Sequence, residues 1–176
     1  MKRSPKAGGQ TRSAVFPAGT VTLSWRGGLV SAVEFDRAGS AARPDPKLRQ
    51  GLEWVLKGRR IPRRLRVDTS GLPEFTRKVL GACAAVPAGR VLTYGELAAS
   101  VGRPRAARAV GQALARNPFP ILIPCHRVVA AGGRLNGFGG GLAWKEALLA
   151  FEGWRFEGRG GNRRVKPWRG ASGRDD

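Results

Sequence analysis

The chain has 176 residues, enough for one domain or for two small lobes around a shared core. Hydrophobic residues make up 41% of it, which supports a globular interior, and no apolar run reaches the length of a membrane span. Lys and Arg number 32 against 12 Asp and Glu, a formal net charge of +20 that points to a polyanionic partner, nucleic acid first among them.

Other counts narrow the chemistry. Two cysteines, Cys83 and Cys125, make no disulfide framework, and with the single histidine, His126, they cannot complete a structural zinc site. No metal and no cofactor are therefore expected. The N-terminal MKRSPKAGGQTR lacks the apolar stretch of a signal peptide, so a cytoplasmic location is expected, nucleoid-associated if the source is bacterial.

The elements run as follows. Residues 1–12 and 158–176, rich in Gly, Arg, Lys and Ser, read as basic disordered tails. Residues 14–36 alternate: Val21, Leu23 and Trp25 share one face, Gly27-Gly28 makes a turn, and Leu29, Val33 and Phe35 share a face, which predicts a β-hairpin. Residues 46–57 predict a short helix with Leu48, Leu52, Val55 and Leu56 inward. The basic stretch GRRIPRRLRVDTSG then links to a second lobe; residues 43–78 carry eleven positive and four negative side chains, while 13–42 are neutral. Pro73 suits the first position of a helix whose stripe is Phe75, Val79, Leu80 and Cys83, so Cys83 reads as a buried, inert thiol.

Thr93 and Glu96 form a capping box and start the next helix, with Leu97, Ala98 and Val101 inward. Gly102-Arg103-Pro104 breaks it. A second helix follows with Ala106, Ala109, Val110, Ala113 and Leu114 inward and Arg105, Arg108 and Gln112 outward, giving a helix-turn-helix with a basic outer face. Residues 121–123 read as a short buried strand or extended segment. After the Gly-rich turn GGRLNGFGGG comes a helix from Leu142 to Phe151, with Trp144, Ala147, Leu148 and Phe151 inward and Gly153 at its C-terminal end. The chain divides into a 1–12 tail, a 13–70 lobe with its linker, a 71–157 unit and a 158–176 tail. The fold class is α/β (α+β): a small antiparallel sheet, then a mostly helical unit.

Cys125-His126 is the one place where a nucleophile adjoins a tunable base. A free thiol ionises near pH 8.5, and a neighbouring imidazole can withdraw its proton. Glu152 closes a helix at the end where the macrodipole disfavours an anion, so it calls for a partner, and His126 is the candidate. A surface glutamate and a structural thiol would look the same on these residues alone.

NPFPILIPCHRVV (117–129) closely resembles the active-site motif of the 6-O-alkylguanine-DNA alkyltransferases, also called methylated-DNA–protein-cysteine methyltransferases, and PCHRV is highly specific to that family. The resemblance extends through FTRKVL (75–80), TYGELA (93–98), RAARAVGQAL (105–114) and 140–153, and more loosely to the hairpin. It implies that Cys125 accepts an alkyl group from the 6-oxygen of guanine, once per molecule. It implies that His126 deprotonates the thiol through a water, that Glu152 orients His126, that Asn117 braces the backbone and that Tyr94 donates to guanine N3. Arg108 would fill the hole left by a flipped nucleotide, with Arg105, Ala106, Ala107, Gly111 and Gln112 forming the rest of a minor-groove surface. Val128, Phe138, Gly139 and Tyr94 would line the base pocket. Phe138 stands where the family often has Tyr, and Gly139 brings no side-chain hydroxyl. The implied partner is duplex DNA bearing alkylated guanine, bound by a monomer. Two rival readings are a damage sensor, which in this fold lacks the acceptor cysteine, and a transcription regulator, which needs no PCHRV motif.

Overall fold

A computed structural model describes residues 10–36 and 44–166. Strands β1 (Thr11–Phe16), β2 (Gly19–Arg26) and β3 (Leu29–Asp36) form an antiparallel sheet in that order. The expected hairpin is β2–β3, and Gly27 and Gly28 take φ of 57° and 78°, the positive angles that a two-residue turn matching strand twist requires. Two expectations change here. Thr11 and Arg12 belong to β1 and not to a tail. A bulge leaves Ser31 unpaired, since Ser24 faces Ala32 while Trp25 faces Val30. The skipped residue switches the face of what precedes it, so Val30 is buried and Leu29 only half-buried.

Helix α1 (Pro46–Leu56) starts where the Asp45 carboxylate accepts from the backbone N–H groups of Lys47 and Leu48, and it buries Leu48, Leu52, Val55 and Leu56 as its spacing predicts. The linker is not loose. A 3-10 turn, Arg63–Leu65, buries Leu65, and Val67 bridges to Val30 of β3.

Helix α2 (Glu74–Ala84) begins one residue after Pro73, which sits at its N-cap, and it buries Val79, Leu80 and Cys83. Strand β4 (Leu92–Thr93) leads into α3 (Tyr94–Ser100), which carries the complete Thr93–Glu96 capping box. Gly102, at φ 74°, turns the chain toward α4 (Ala107–Ala115). Val110, Ala113 and Leu114 are buried, whereas Ala109 is exposed and Ala106 is the half-buried N-cap. The inward stripe of α4 is thus narrower than its small residues suggest. Residues 121–123 form a tight turn closed by a Pro120–Ile123 bridge, not a strand. Strand β5 (Val128–Val129) pairs in parallel with β4. Helix α5 (Leu142–Phe151) buries Trp144, Lys145, Leu148 and Leu149, while Phe151 is exposed against expectation.

The stretch expected as a tail from 158 instead forms strand β7 (Arg164–Lys166), antiparallel to β6 (Arg155–Glu157). Phe156 and Val165 of this hairpin pack on Val129, Leu135 and Leu149. The remaining parts of both predicted tails, 1–9 and 167–176, lie outside the described residues. One core joins the sheet to the helical unit: Ala14, Phe16, Val21 and Leu23 share it with α1, with Val79 and Leu80 of α2, and with Trp144 of α5. Among the described residues no helix is long and apolar enough to cross a membrane.

Candidate active site and nucleic-acid interface

Cys125 opens a 3-10 turn, Cys125–Arg127, that follows the tight turn at 120–123. Ile121 takes φ 72°, the only positive value at a non-glycine among the described residues. A β-branched residue resists that angle, at a cost of about 1–3 kcal/mol, so the surroundings must hold it. Asn117 does much of the holding. Its Oδ1 accepts from the Phe119 N–H at 3.0 Å, and its Nδ2 donates to the Ile123 carbonyl at 3.1 Å and to Cys125 Sγ at 3.2 Å. One carboxamide therefore brackets the turn and reaches the sulfur that the turn presents. Cys125 keeps 7% of its surface exposed, and Cys83 keeps none.

His126 is fully buried, and its Nε2 lies 2.8 Å from Glu152 Oε1. Glu152 is the C-cap of α5, and Gly153 follows at φ 94°. The partner expected for this anion is present, and so is a second one. Arg127 donates through Nε and Nη2 to the Glu152 carboxylate at 2.7–3.1 Å, while its Nη1 donates to the Val86 carbonyl at 2.6 Å. Burial pushes the Glu152 carboxyl up, but hydrogen bonds and charge from His126 and Arg127 outweigh it and leave the group below its ordinary range. Burial lowers His126, against the pull of Glu152, so the ring is neutral near pH 7. A ring whose Nε2–H is given to a carboxylate keeps Nδ1 free to accept a proton, and this buried Nδ1 has no partner among the described residues.

Lys145 falls inside the 140–153 motif, but nothing in the sequence singles it out. It is fully buried, and its Nζ donates to the carbonyls of Val128 at 2.7 Å and Asn136 at 2.9 Å. Burial lowers it to about 8, opposed by the pull of the Cys125 thiol. Burial likewise raises Cys125, while the Asn117 hydrogen bond and the Lys145 charge act the other way. The result is a thiol that stays protonated at rest, in a field that favours its thiolate once a base takes the proton.

Tyr94 opens α3 half-buried, its ring 5.9 Å from Lys145 Nζ. Burial raises its hydroxyl. Gly111 of α4 faces that ring: a Cβ there would lie 3.7 Å from two ring carbons. On the outer side Arg105, Arg108 and Gln112 are exposed, and Ala106 and Ala107 are half-buried. No ion pair ties up Arg105 or Arg108 among the described residues. Phe138 is half-buried, its ring centroid 5.5 Å from Phe35 of β3, and Gly139 lies with Asn117, Phe35 and Pro120 around a cavity of about 450 Å³. Val128, implied for the pocket, has a fully buried side chain, and its carbonyl accepts from Lys145 Nζ at 2.7 Å. No group of three or more His, Cys, Asp or Glu is gathered for a metal among the described residues.

The sequence model of the 6-O-methylguanine DNA methyltransferase DNA-binding domain matches residues 74–154, a span that contains Cys125, His126, Glu152 and α4. The methylated-DNA–protein-cysteine methyltransferase of Mycobacterium bovis is 35% identical over 150 residues, covering 80% of this chain and 90% of that protein. The chain belongs to this family. Identity to the Salmonella typhimurium methyltransferase rises to 51% over 90 residues, and there the chain spans about half (52%) of the relative's length. The crystal structure of the Mycobacterium tuberculosis O6-methylguanine methyltransferase superposes with a TM-score of 0.67 at 33% identity, over 82% of this chain and 93% of that one. The structure of Mycobacterium tuberculosis OGT in complex with DNA gives 0.66 at 34%, over 81% and 91%. The likeness to this methyltransferase family thus takes in the N-terminal sheet as well as the unit that carries the site.

Proposed function

We propose that the chain repairs DNA by direct reversal, moving an alkyl group from the 6-oxygen of guanine to Cys125. The observation that carries this reading is the arrangement around one barely exposed sulfur. Asn117 Nδ2 touches it at 3.2 Å, and the adjoining imidazole is locked to Glu152 at 2.8 Å, in a chain of the methyltransferase family.

The alkylated oxygen lies inside the duplex, so the nucleotide must first rotate out of the stack. Arg108, exposed on α4, takes the place it leaves, and Arg105, Ala106, Ala107, Gly111 and Gln112 form the minor-groove surface around it. Phe138 stacks on the extruded base, and Gly139 offers its backbone N–H to the guanine oxygen. His126 Nδ1 takes the thiol proton through a water. The Sγ–carbon bond then forms as the carbon–O6 bond breaks, in line. Tyr94 gives the departing guanine a proton at N3, and the imidazolium and phenolate neutralise through solvent. The thioether is a poor leaving group, so each molecule acts once. The unit 71–157 carries the chemistry on a core shared with 13–70, and the chain works as a monomer in the cytoplasm, associated with the nucleoid if bacterial.

Single-turnover labelling tests the reading. DNA with one methylated guanine should add one methyl mass to the protein, on Cys125, with Cys83 unmodified. Binding without mass gain while Cys125 is reduced would favour a damage sensor.

A further inference from the structure

Between α1 and α2 the chain places six cations within ten residues: Lys57, Arg59, Arg60, Arg63, Arg64 and Arg66. All six are exposed. The carboxylates nearest in sequence are engaged elsewhere: Asp45 with Arg12, Glu53 with Arg49, and Asp68 with Ser70. Three of the cations also have local partners. Arg59 lies over the Trp54 ring, Lys57 over the Phe151 ring, and Arg64 donates to the Lys47 carbonyl. The side chains of Arg60, Arg63 and Arg66 make no hydrogen bond or ion pair among the described residues, and together they line an open cleft of about 930 Å³ with Ile61, Pro62 and Val67.

This surface is built, not draped. Leu65 is fully buried beneath it. The Arg64 carbonyl accepts from Trp25 Nε1 at 2.9 Å, the Arg66 carbonyl accepts from the Val30 N–H at 2.8 Å, and the Asp68 N–H donates to the Val30 carbonyl at 3.3 Å. The sheet therefore holds the backbone at Arg64, Arg66 and Asp68. A row of exposed, unpaired guanidinium groups suits phosphate oxygens, which arginine engages with two parallel donors. A protein interface would be expected to centre on an exposed aromatic or aliphatic core. The cleft has none, because Ile61, Pro62 and Val67 are half-buried.

We propose that Arg60, Arg63 and Arg66 form a second phosphate-binding surface, separate from α4, that holds the backbone of duplex DNA without reading its sequence. The proposal rests on the DNA-repair reading only for the identity of the polyanion. Its chemistry is counterion release, in which each phosphate neutralised steepens the salt dependence of binding.

The test uses the full chain and undamaged duplex, with affinity measured against salt concentration for the wild type, for the Arg60→Gln/Arg63→Gln/Arg66→Gln variant and for the triple Arg→Lys variant. The log–log slope of the Gln variant should be shallower by about 0.9 for each phosphate left without its cation, about 2–3 in all, while the Lys variant keeps most of it. Thermal midpoints should be unchanged, since these side chains hold no other part of the fold. Transfer from free alkylated guanine, which needs no phosphate contact, should be the same in all three proteins. An unchanged slope in a folded Gln variant would overturn the proposal. So would wild-type binding to polyglutamate as tight as to duplex and lost in the Gln variant, since the partner would then be an acidic protein. Failure of free-base transfer in the wild type would instead strike the repair reading and leave the slope measurement standing.

Discussion

Glu152 sits at a helix end that disfavours an anion, and two buried cationic or donor groups explain why it stays there: His126 on one side and Arg127 on both oxygens. Replacing it with Gln leaves Arg127 buried without a counter-charge. We expect Glu152→Gln to lose about 3–5 kcal/mol of stability, read by urea denaturation. The same change and His126→Ala should each slow alkyl transfer, with the double variant far from additive, because the proposed relay puts both on one proton path. Full additivity would mean that the relay is wrong. The pair also sets an acid limit. Because burial lowers His126 in the folded state, the unfolded chain binds its proton first, and stability should begin to fall as pH drops through 6.5. Glu152 is held below its ordinary 4.5, so its contribution is present above that value and is lost as pH falls through its folded value. A urea midpoint that stays level from neutral pH to well below pH 4.5 would contradict both signs. Cys125, His126 and Glu152 are legible in the sequence because each is unusual where it stands. Arg127 and Lys145 are not, since a charge reads as exposed unless its buried partner is known, and the partners here are backbone carbonyls and a carboxylate distant in sequence.

Among the elements, capping and spacing carry furthest. The Thr93–Glu96 box starts α3 as expected, and the spacing of Leu48, Leu52, Val55 and Leu56 marks the buried face of α1. Short apolar runs carry less. Ile121, Leu122 and Ile123 look like a buried strand, but the prolines on either side and the Asn117 bracket close them into a turn. Likewise α4 is exposed at Ala109, because small residues satisfy a helical stripe without needing burial. Asn117→Ala should therefore lower stability and slow transfer together, as it releases both the turn and the sulfur. Arg108→Ala should lower repair of duplex at least about tenfold while leaving transfer from the free base nearly intact, because only the duplex needs a nucleotide extruded. Equal losses on both substrates would remove Arg108 from the flipping role. The loop before α5 depends on the sheet: a Cβ at Gly140 would meet the Phe35 ring at 2.5 Å. Gly140→Ala should cost about 1–3 kcal/mol, seen as a lower urea midpoint, and should displace the loop that carries Phe138.

At the scale of the whole molecule, the +20 charge points to a polyanion, and the structure distributes it: exposed Arg105 and Arg108 at the start of α4 and an exposed arginine row at 60–66. The two-lobe division is harder to read than the charge, because a core shared by the sheet, α1, α2 and α5 leaves no break in the apolar pattern. The C-terminal hairpin β6–β7 escapes notice for a related reason. Its strands are three residues each, in a stretch rich in Arg and Gly, and only Phe156 and Val165 mark their inward side. All of this converges on one sulfur atom, and so does the most direct measurement. Protein incubated with duplex containing a single methylated guanine should gain one methyl mass on Cys125 and plateau at one equivalent per molecule, while Cys125→Ser binds the lesion and gains nothing. Methyl found on Cys83, or turnover beyond one equivalent, would contradict the account.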